Sequence, residues 1–214
     1  MSTVDANRLL ANVASTYASM SSYSDAGVVV VPVVIPGLSS VAKTQFSTAI
    51  VTPGLFRFKF EAPHPYPPLS HIITRSVCGL HGSIAYNWTK FHGKASELRI
   101  ATSLSMAVAG ATGVSLGSVG TIAELMLPAL GAGWNPGLKN VSLGEDEDVE
   151  GTRCHVLRAQ FPIAHARTYW IDHTTLTIRK VTNSGLFSSE EVRRNIRVNE
   201  PIDAQIFELP KSEA

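Results

Sequence analysis

KTQFSTAIVTPGLFRFKFE, residues 43–61, is the stretch that decides the fold. Phe46, Thr48, Ile50, Phe56, Phe58 and Phe60 share one parity across Pro53–Gly54. Lys43, Gln45, Arg57, Lys59 and Glu61 take the other. A side-chain period of two belongs to β-strands, so Lys43–Ile50 and Leu55–Phe60 read as paired strands with an aromatic face and a charged face. One wet face favours an antiparallel sheet over a doubly wound parallel one. The aromatic face then needs a cover.

The sequence offers one candidate for it. Between Ile100 and Leu138 runs ATSLSMAVAGATGVSLGSVGTIAELMLPALGAGWNPG, with Glu124 as its sole charge. A chain with 16% charged residues does not leave such a stretch uncharged unless it faces a bilayer, its own core or a ligand. A membrane helix needs about 20 uninterrupted apolar residues. Here Gly, Ser and Thr clusters interrupt the run, and no basic flank sets an orientation. The reading is therefore two short helices. Leu98, Ile100, Leu104 and Val108 form the stripe of the first, which breaks at Ala111-Thr112-Gly113. Ile122, Leu125, Met126 and Leu127 belong to the second, capped by Ser115 or Ser118 and stopped by Pro128.

Upstream, Leu9, Leu10, Val13, Tyr17 and Met20 recur at helical spacing, with Asp5 or Thr3 as N-cap. Ala26–Ile35 is a β-branched strand, and Pro32 assigns it an edge or a bulge. It ends at Pro36–Gly37. The proline-rich Ala62–Pro68 reads as a stiff connection. Ser70–Val77 and Ser83–Trp88 are strands, with Cys78–Gly82 as their turn. Glu145–Asp148 lacks the alternating ligands and central glycine of a calcium loop and reads as a solvated turn. Cys154–Phe161, Arg167–Asp172, Thr175–Thr182 and Val192–Val198 are further strands, with an Asx turn at Asp172. Residues 201–210 form a tail docked through Ile206 and Leu209, or Phe207. A helix, about five strands, two helices and about four strands make this α+β, one domain over residues 1–214.

Eighteen basic against 17 acidic residues leave a net charge of +1, with no basic cluster for nucleic acid. Two cysteines, Cys78 and Cys154, sit in apolar strand surroundings and read as buried thiols, with pairing left open. The N-terminal residues have no signal-peptide pattern, which fits either a cytoplasmic chain or a processed one.

Catalytic and metal motifs fail on context. Gly113-Val114-Ser115-Leu116-Gly117 matches the nucleophile-elbow string, but a helix precedes it where a strand is required. Cys78 and His81, with His71 and His92 nearby, fall short of a zinc set, because His71 and Cys78 have opposite strand parity. His155, His165 and His173 each read as isolated. No phosphate-binding glycine loop is present. Arg193 and Arg197 share a parity and read as a solvated sheet face. No cofactor, metal or catalytic residue is expected.

Several short strings resemble one family. V-T-P-G-L-F-R-F-K-F at Val51–Phe60 resembles the P-x-x-F strand of the LolA/LolB periplasmic lipoprotein carriers. Trp170-Ile171-Asp172, with Thr174, Thr175 and Leu176, is similar to their W-I-D hairpin. Phe207 and Pro210, following Ile202 and Asp203, resemble their closing motif. The segment GATGVSLGS resembles uncharacterised envelope proteins of this superfamily, which keep two helices there. The resemblance implies a strongly curved antiparallel half-barrel with helices over its concave side and an acyl-binding cavity between them. Phe46, Ile50, Phe56, Phe58 and Phe60 would line the sheet side. Ile100, Leu104, Val108, Leu125 and Met126 would form the lid. It implies a bacterial envelope protein of the outer-membrane lipoprotein-sorting type, located in the periplasm, that binds a lipid or acylated lipoprotein without catalysis. An envelope sensor or scaffold acting through a protein partner is the alternative, and an enzyme on the same fold a further one. The family's arginine before the P-x-x-F proline, which helps latch the lid, is Thr52 here.

Overall fold

The computed structural model describes residues 5–35, 38–64, 67–92, 94–131, 133–134, 138–161, 165–185 and 188–211. Thr3, Pro36–Gly37, part of the proline-rich loop and the Asn135–Gly137 end of the uncharged stretch lie outside them, as does the His165 side chain.

The chain opens with α1 (Ala6–Ala18), whose N-cap Asp5 accepts from the Asn7 amide. Leu9, Val13 and Tyr17 are its buried stripe, as the helical spacing predicts. Six strands follow: β1 (Ser22–Ile35), β2 (Leu38–Val51), β3 (Leu55–Pro63), β4 (Ile73–His81), β5 (Ile84–Lys90) and β6 (Glu97–Ala101). Then come α2 (Leu104–Ser115) and α3 (Ser118–Met126). The chain returns to strands with β7 (Lys139–Leu143), β8 (Glu147–Val149), β9 (Thr152–Phe161), β10 (His165–Asp172), β11 (Ile178–Ser184) and β12 (Ser189–Val198).

The sheet order is β6-β5-β4-β3-β2-β1-β12-β11-β10-β9-β7, with β8 also paired to β9. Every pairing is antiparallel. The path explains why the uncharged stretch sits mid-chain. Strands step outward from the central β1 to one edge at β6. The two helices then carry the chain across to the opposite edge at β7, and strands step back to the centre at β12. The result is the α+β architecture expected from the sequence, an open, curved antiparallel sheet.

The decisive hairpin forms as read. Phe46 pairs with Phe60, Thr48 with Phe58 and Ile50 with Phe56. All six are buried, and Phe46 stacks on Phe58 with centroids 5.5 Å apart. Gly27 on β1 pairs with Phe46, and a Cβ there would meet the tip of the Phe46 ring at 2.3 Å, so the ring needs bare backbone at that position. Pro32 pairs only towards β2, because the β12 ladder ends at Val30. That side of β1 is an edge at Pro32, where a missing N–H costs no ladder bond.

Four local readings are corrected. Leu98 and Ile100 lie on β6, not on a helix: they are two residues apart and opposite Trp88 and Tyr86. Their neighbours Glu97 and Arg99 complete a strand alternation. The turn between β4 and β5 is at Gly82–Ser83, so Cys78 and Gly79 are inside the ladder. Glu147–Val149 is a short strand within the acidic run. The first helix does not break at Gly113 but runs to Ser115, where Leu116 and Gly117 take left-handed backbone (φ 55° and 86°).

Of the C-terminal anchors, Phe207 is buried, whereas Ile206 and Leu209 are exposed. Arg57 fixes the tail by donating to the carbonyls of Ile206 (2.8 Å) and Glu208 (2.9 Å). Both cysteines are buried free thiols. Burial pushes Cys78 up to about 12 and Cys154 up to about 11, which leaves both protonated at neutral pH. No helix among the described residues is long and apolar enough to cross a membrane.

Candidate functional site

The cover is built from α1, α2 and α3 over the aromatic face. Leu9, Val13, Tyr17, Leu104, Val108, Val119, Ile122, Leu125, Met126 and Leu127 join Phe46, Ile50, Phe56, Phe58 and Phe60 in one continuous apolar cluster. Nine of the ten residues expected to line the cavity are therefore together at one interface. Ile100 is not. It stands on β6 with the parity of Leu98, which packs with Trp88 in a separate cluster, and it is 62% exposed. The nine are packed against one another as core.

Open space lies beside the helices. A cleft of about 610 Å³ is bordered by Ser105, Val108, Ala109 and Thr112 of α2, by Glu124 of α3, and by Leu130, Gly131, Gly133 and Trp134. Its volume is that of a small-molecule site. Trp134 is fixed there by its Nε1, which donates to the Leu10 carbonyl of α1 (2.7 Å), and by an edge contact to Tyr169. The solvent face of α2 is Ser105, Met106, Ala109, Gly110, Thr112 and Gly113, without a charge. A second, smaller space of about 260 Å³ lies between the middle of α2 at Gly110–Ala111 and strands β3 to β6, where Glu97 and Arg99 border it.

Glu124, the lone charge of the stretch, borders the cleft and is half-buried. Burial raises its carboxyl above the usual carboxylate range, and the Arg167 charge offsets only part of this. A folded-state pKa above the unfolded one favours folding below about pH 4.3 and is lost as pH rises through the raised value. Glu124→Gln is therefore expected to raise the melting temperature at pH 7 and leave it unchanged at pH 3.5. Equal effects at both pH values would show that burial of the charge is not the cause.

What holds the cover down was not visible in the sequence. Arg193 of β12 is fully buried under the first turn of α3. Its Nε donates to Glu191 (2.5 Å), its Nη1 to Asp25 and to Thr48 Oγ1 (3.3 Å), and its Nη2 to the Ser118 carbonyl of α3 (3.0 Å). Asp25 also accepts from Tyr23 Oη (2.6 Å) and the Thr48 amide (3.1 Å), and Glu191 from Thr121 of α3 (3.0 Å). The guanidinium lies 4.8 Å from the Phe46 centroid. So α3 is tied to β1, β2 and β12 by a satisfied ionic cluster, as a buried charge requires. Thr52 donates to the Met20 and Ser21 carbonyls (3.2 Å each). Arg193 and Arg197 do not share a face: Asn195 takes φ 53°, the β1–β12 register slips there, and Arg197 is exposed.

The remaining motifs resolve as follows. Ser115 is buried in the α2–α3 turn, with its hydroxyl directed at the Thr112 carbonyl (3.5 Å), as expected for a helix–helix turn. The α3 N-cap is Gly117, with no side-chain cap; Ser118 donates back to the Ser115 carbonyl. His81 Nδ1 lies 3.1 Å from the Phe207 carbonyl, apart from buried Cys78. His155 and His173 are not isolated, and meet at Asp146.

No family model matches the chain, and no curated protein matches its sequence. Solved structures do resemble it. The Mycobacterium tuberculosis lipoprotein LppX is 14% identical, with a TM-score of 0.48 over 92% of this chain and 95% of that one. A LolA superfamily protein from Nitrosomonas europaea is 9% identical, with a TM-score of 0.39 over 96% and 98%. MucB in its complex with MucA from Pseudomonas aeruginosa is 12% identical, with a TM-score of 0.42 over 97% of this chain and 62% of that one.

Proposed function

We propose that this chain is a non-enzymatic cell-envelope protein that takes an acyl chain, of a lipid or a lipoprotein, under its helical cover. The ligand enters at the cleft between α2 and Trp134 and runs towards the aromatic face. The observation that carries this is the sparsely charged cleft border: of the described residues that border the 610 Å³ cleft, only Glu124 is ionisable. Binding is then burial of hydrocarbon, worth about 0.8 kcal/mol per methylene, or roughly fourfold in affinity.

The test is displacement of a fluorescent fatty acid by unlabelled acids of increasing length, on protein purified without detergent. Affinity is expected to rise about fourfold per methylene until the space is filled. Ala109→Trp, on the exposed face of α2 and bordering the cleft, is expected to weaken binding at least tenfold without changing the melting temperature. No uptake, together with a clean apo mass in native mass spectrometry, would overturn the reading.

One observation favours a second reading, an envelope sensor or scaffold with a protein partner. The sheet–helix interface is packed by side chains, and Met106 stands exposed on a helix face with no charge. Recovery of one stoichiometric partner from an envelope extract, abolished by Met106→Lys and free of lipid, would replace the first reading with this one.

A further inference from the structure

Three side chains of types that can ligate a metal converge where the β7–β8 link, β9 and the turn after β10 meet. His155 is on β9, His173 is in the turn after β10, and Asp146 lies in the link from β7 to β8. His155 Nδ1 is 3.1 Å from Asp146 Oδ1, and His173 Nε2 is 3.0 Å from Asp146 Oδ2. The two imidazoles stack, with centroids 3.7 Å apart and planes 25° apart. One donor atom from each residue falls within 4.8 Å of the others.

The scaffold beneath them is fixed. The Gly144 amide donates to Val156 (2.8 Å), which holds the β7–β8 link on β9, and the His173 amide donates to Arg153 (3.1 Å). Asp172 braces the turn by accepting from the Thr174 and Thr175 amides (2.8 and 3.1 Å) and from Arg179 (2.8 Å). All three ligand side chains keep a solvent-facing side, with exposures of 18% for His155, 33% for Asp146 and 32% for His173.

We infer that Asp146, His155 and His173 form a binding site for a divalent transition ion of the zinc class. Two imidazoles and one carboxylate are a zinc donor set, and zinc at 2.0–2.2 Å from each needs donors about 3.3 Å apart. The two His–Asp spacings, each to a different oxygen of the carboxylate, are already near that value, and the stacked rings turn so that both nitrogen lone pairs meet one ion. The fourth position faces solvent and takes water or a donor from outside. Bound metal would cross-link the β7–β8 link, β9 and the β10–β11 turn, and so stiffen one end of the sheet. The inference stands apart from the acyl-binding reading.

The full chain, stripped with EDTA and dialysed, is titrated with zinc chloride by calorimetry. The expected result is one zinc per chain, with a higher melting temperature in the metal-bound form. His173→Ala, in an exposed turn, is expected to weaken binding at least tenfold while leaving the metal-free melting temperature within a few degrees. Should that variant fail to fold, Asp146→Asn reads the same loss. Cobalt(II) in place of zinc gives a tetrahedral absorption band that both variants lose. His71→Ala/His92→Ala, at the other histidine pair, should bind as the unaltered chain does. No zinc uptake at micromolar concentration, uptake unchanged in His173→Ala and Asp146→Asn, or uptake abolished by the control pair would each overturn the inference.

Discussion

Replacing Arg193 with methionine is expected to cost about 3–5 kcal/mol of folding stability, read as a shift in the urea midpoint. The substitution roughly keeps the side chain's bulk and removes the charge that Asp25 and Glu191 face. Two carboxylates are then buried side by side without a cation, and the Ser118 carbonyl loses its donor. That is the expensive way to break a buried ion cluster. Neutralising all members together is cheap, because desolvation of the charges disappears with them. The triple variant Asp25→Asn, Glu191→Gln, Arg193→Met is therefore expected to recover most of the loss. Hydrogen exchange adds a second readout. Since Arg193 and Glu191 are the polar ties of α3 to the sheet, α3 amides should lose protection first in the single variant. A loss under 1 kcal/mol, or α3 protection unchanged, would mean that apolar packing alone holds the cover.

Fold and anchor were not equally legible, and the reason is physical. The aromatic hairpin announces itself because six residues hold a period of two with charges between them, which no helix satisfies. The helix–turn–helix shows because small residues persist through Ile100–Leu138 with Glu124 as the sole charge. Ile100 itself was misplaced because an apolar residue at a strand end also fits the start of a helical stripe. Pairing with Tyr86, a tertiary fact, decides it. Arg193 was unreadable for two reasons. The bulge at Asn195 changes the parity of β12, so equal spacing from Arg197 does not mean an equal face. Its counter-charge Asp25 sits at the other end of the chain, and only the β1–β12 pairing joins them. His155 and His173 escaped for the same cause. Their shared carboxylate belongs to a link that periodicity does not describe, and the three side chains come together from a link, a strand and a turn that are separate in sequence.

Phe58→Ala tests fold and proposed function at one position. Phe58 is fully buried on the face that the helices cover, stacked on Phe46 and 6.1 Å from Phe60. Truncating such a ring is expected to cost about 3–5 kcal/mol, the transfer of the lost atoms plus the cavity left behind. The cost approaches the upper end if Phe46 and Phe60 stay in place, and Gly27 behind Phe46 leaves that ring little reason to move. The vacated volume is apolar and stays dry. An acyl chain that reaches the aromatic face no longer has to displace a phenyl ring, so fatty-acid affinity should rise tenfold or more as stability falls. These opposite signs separate cavity filling from general damage: a partly unfolded chain loses both. Unchanged affinity in a folded Phe58→Ala chain would confine the ligand to the cleft beside Trp134, and the packed interface would then be core and not a closed binding site.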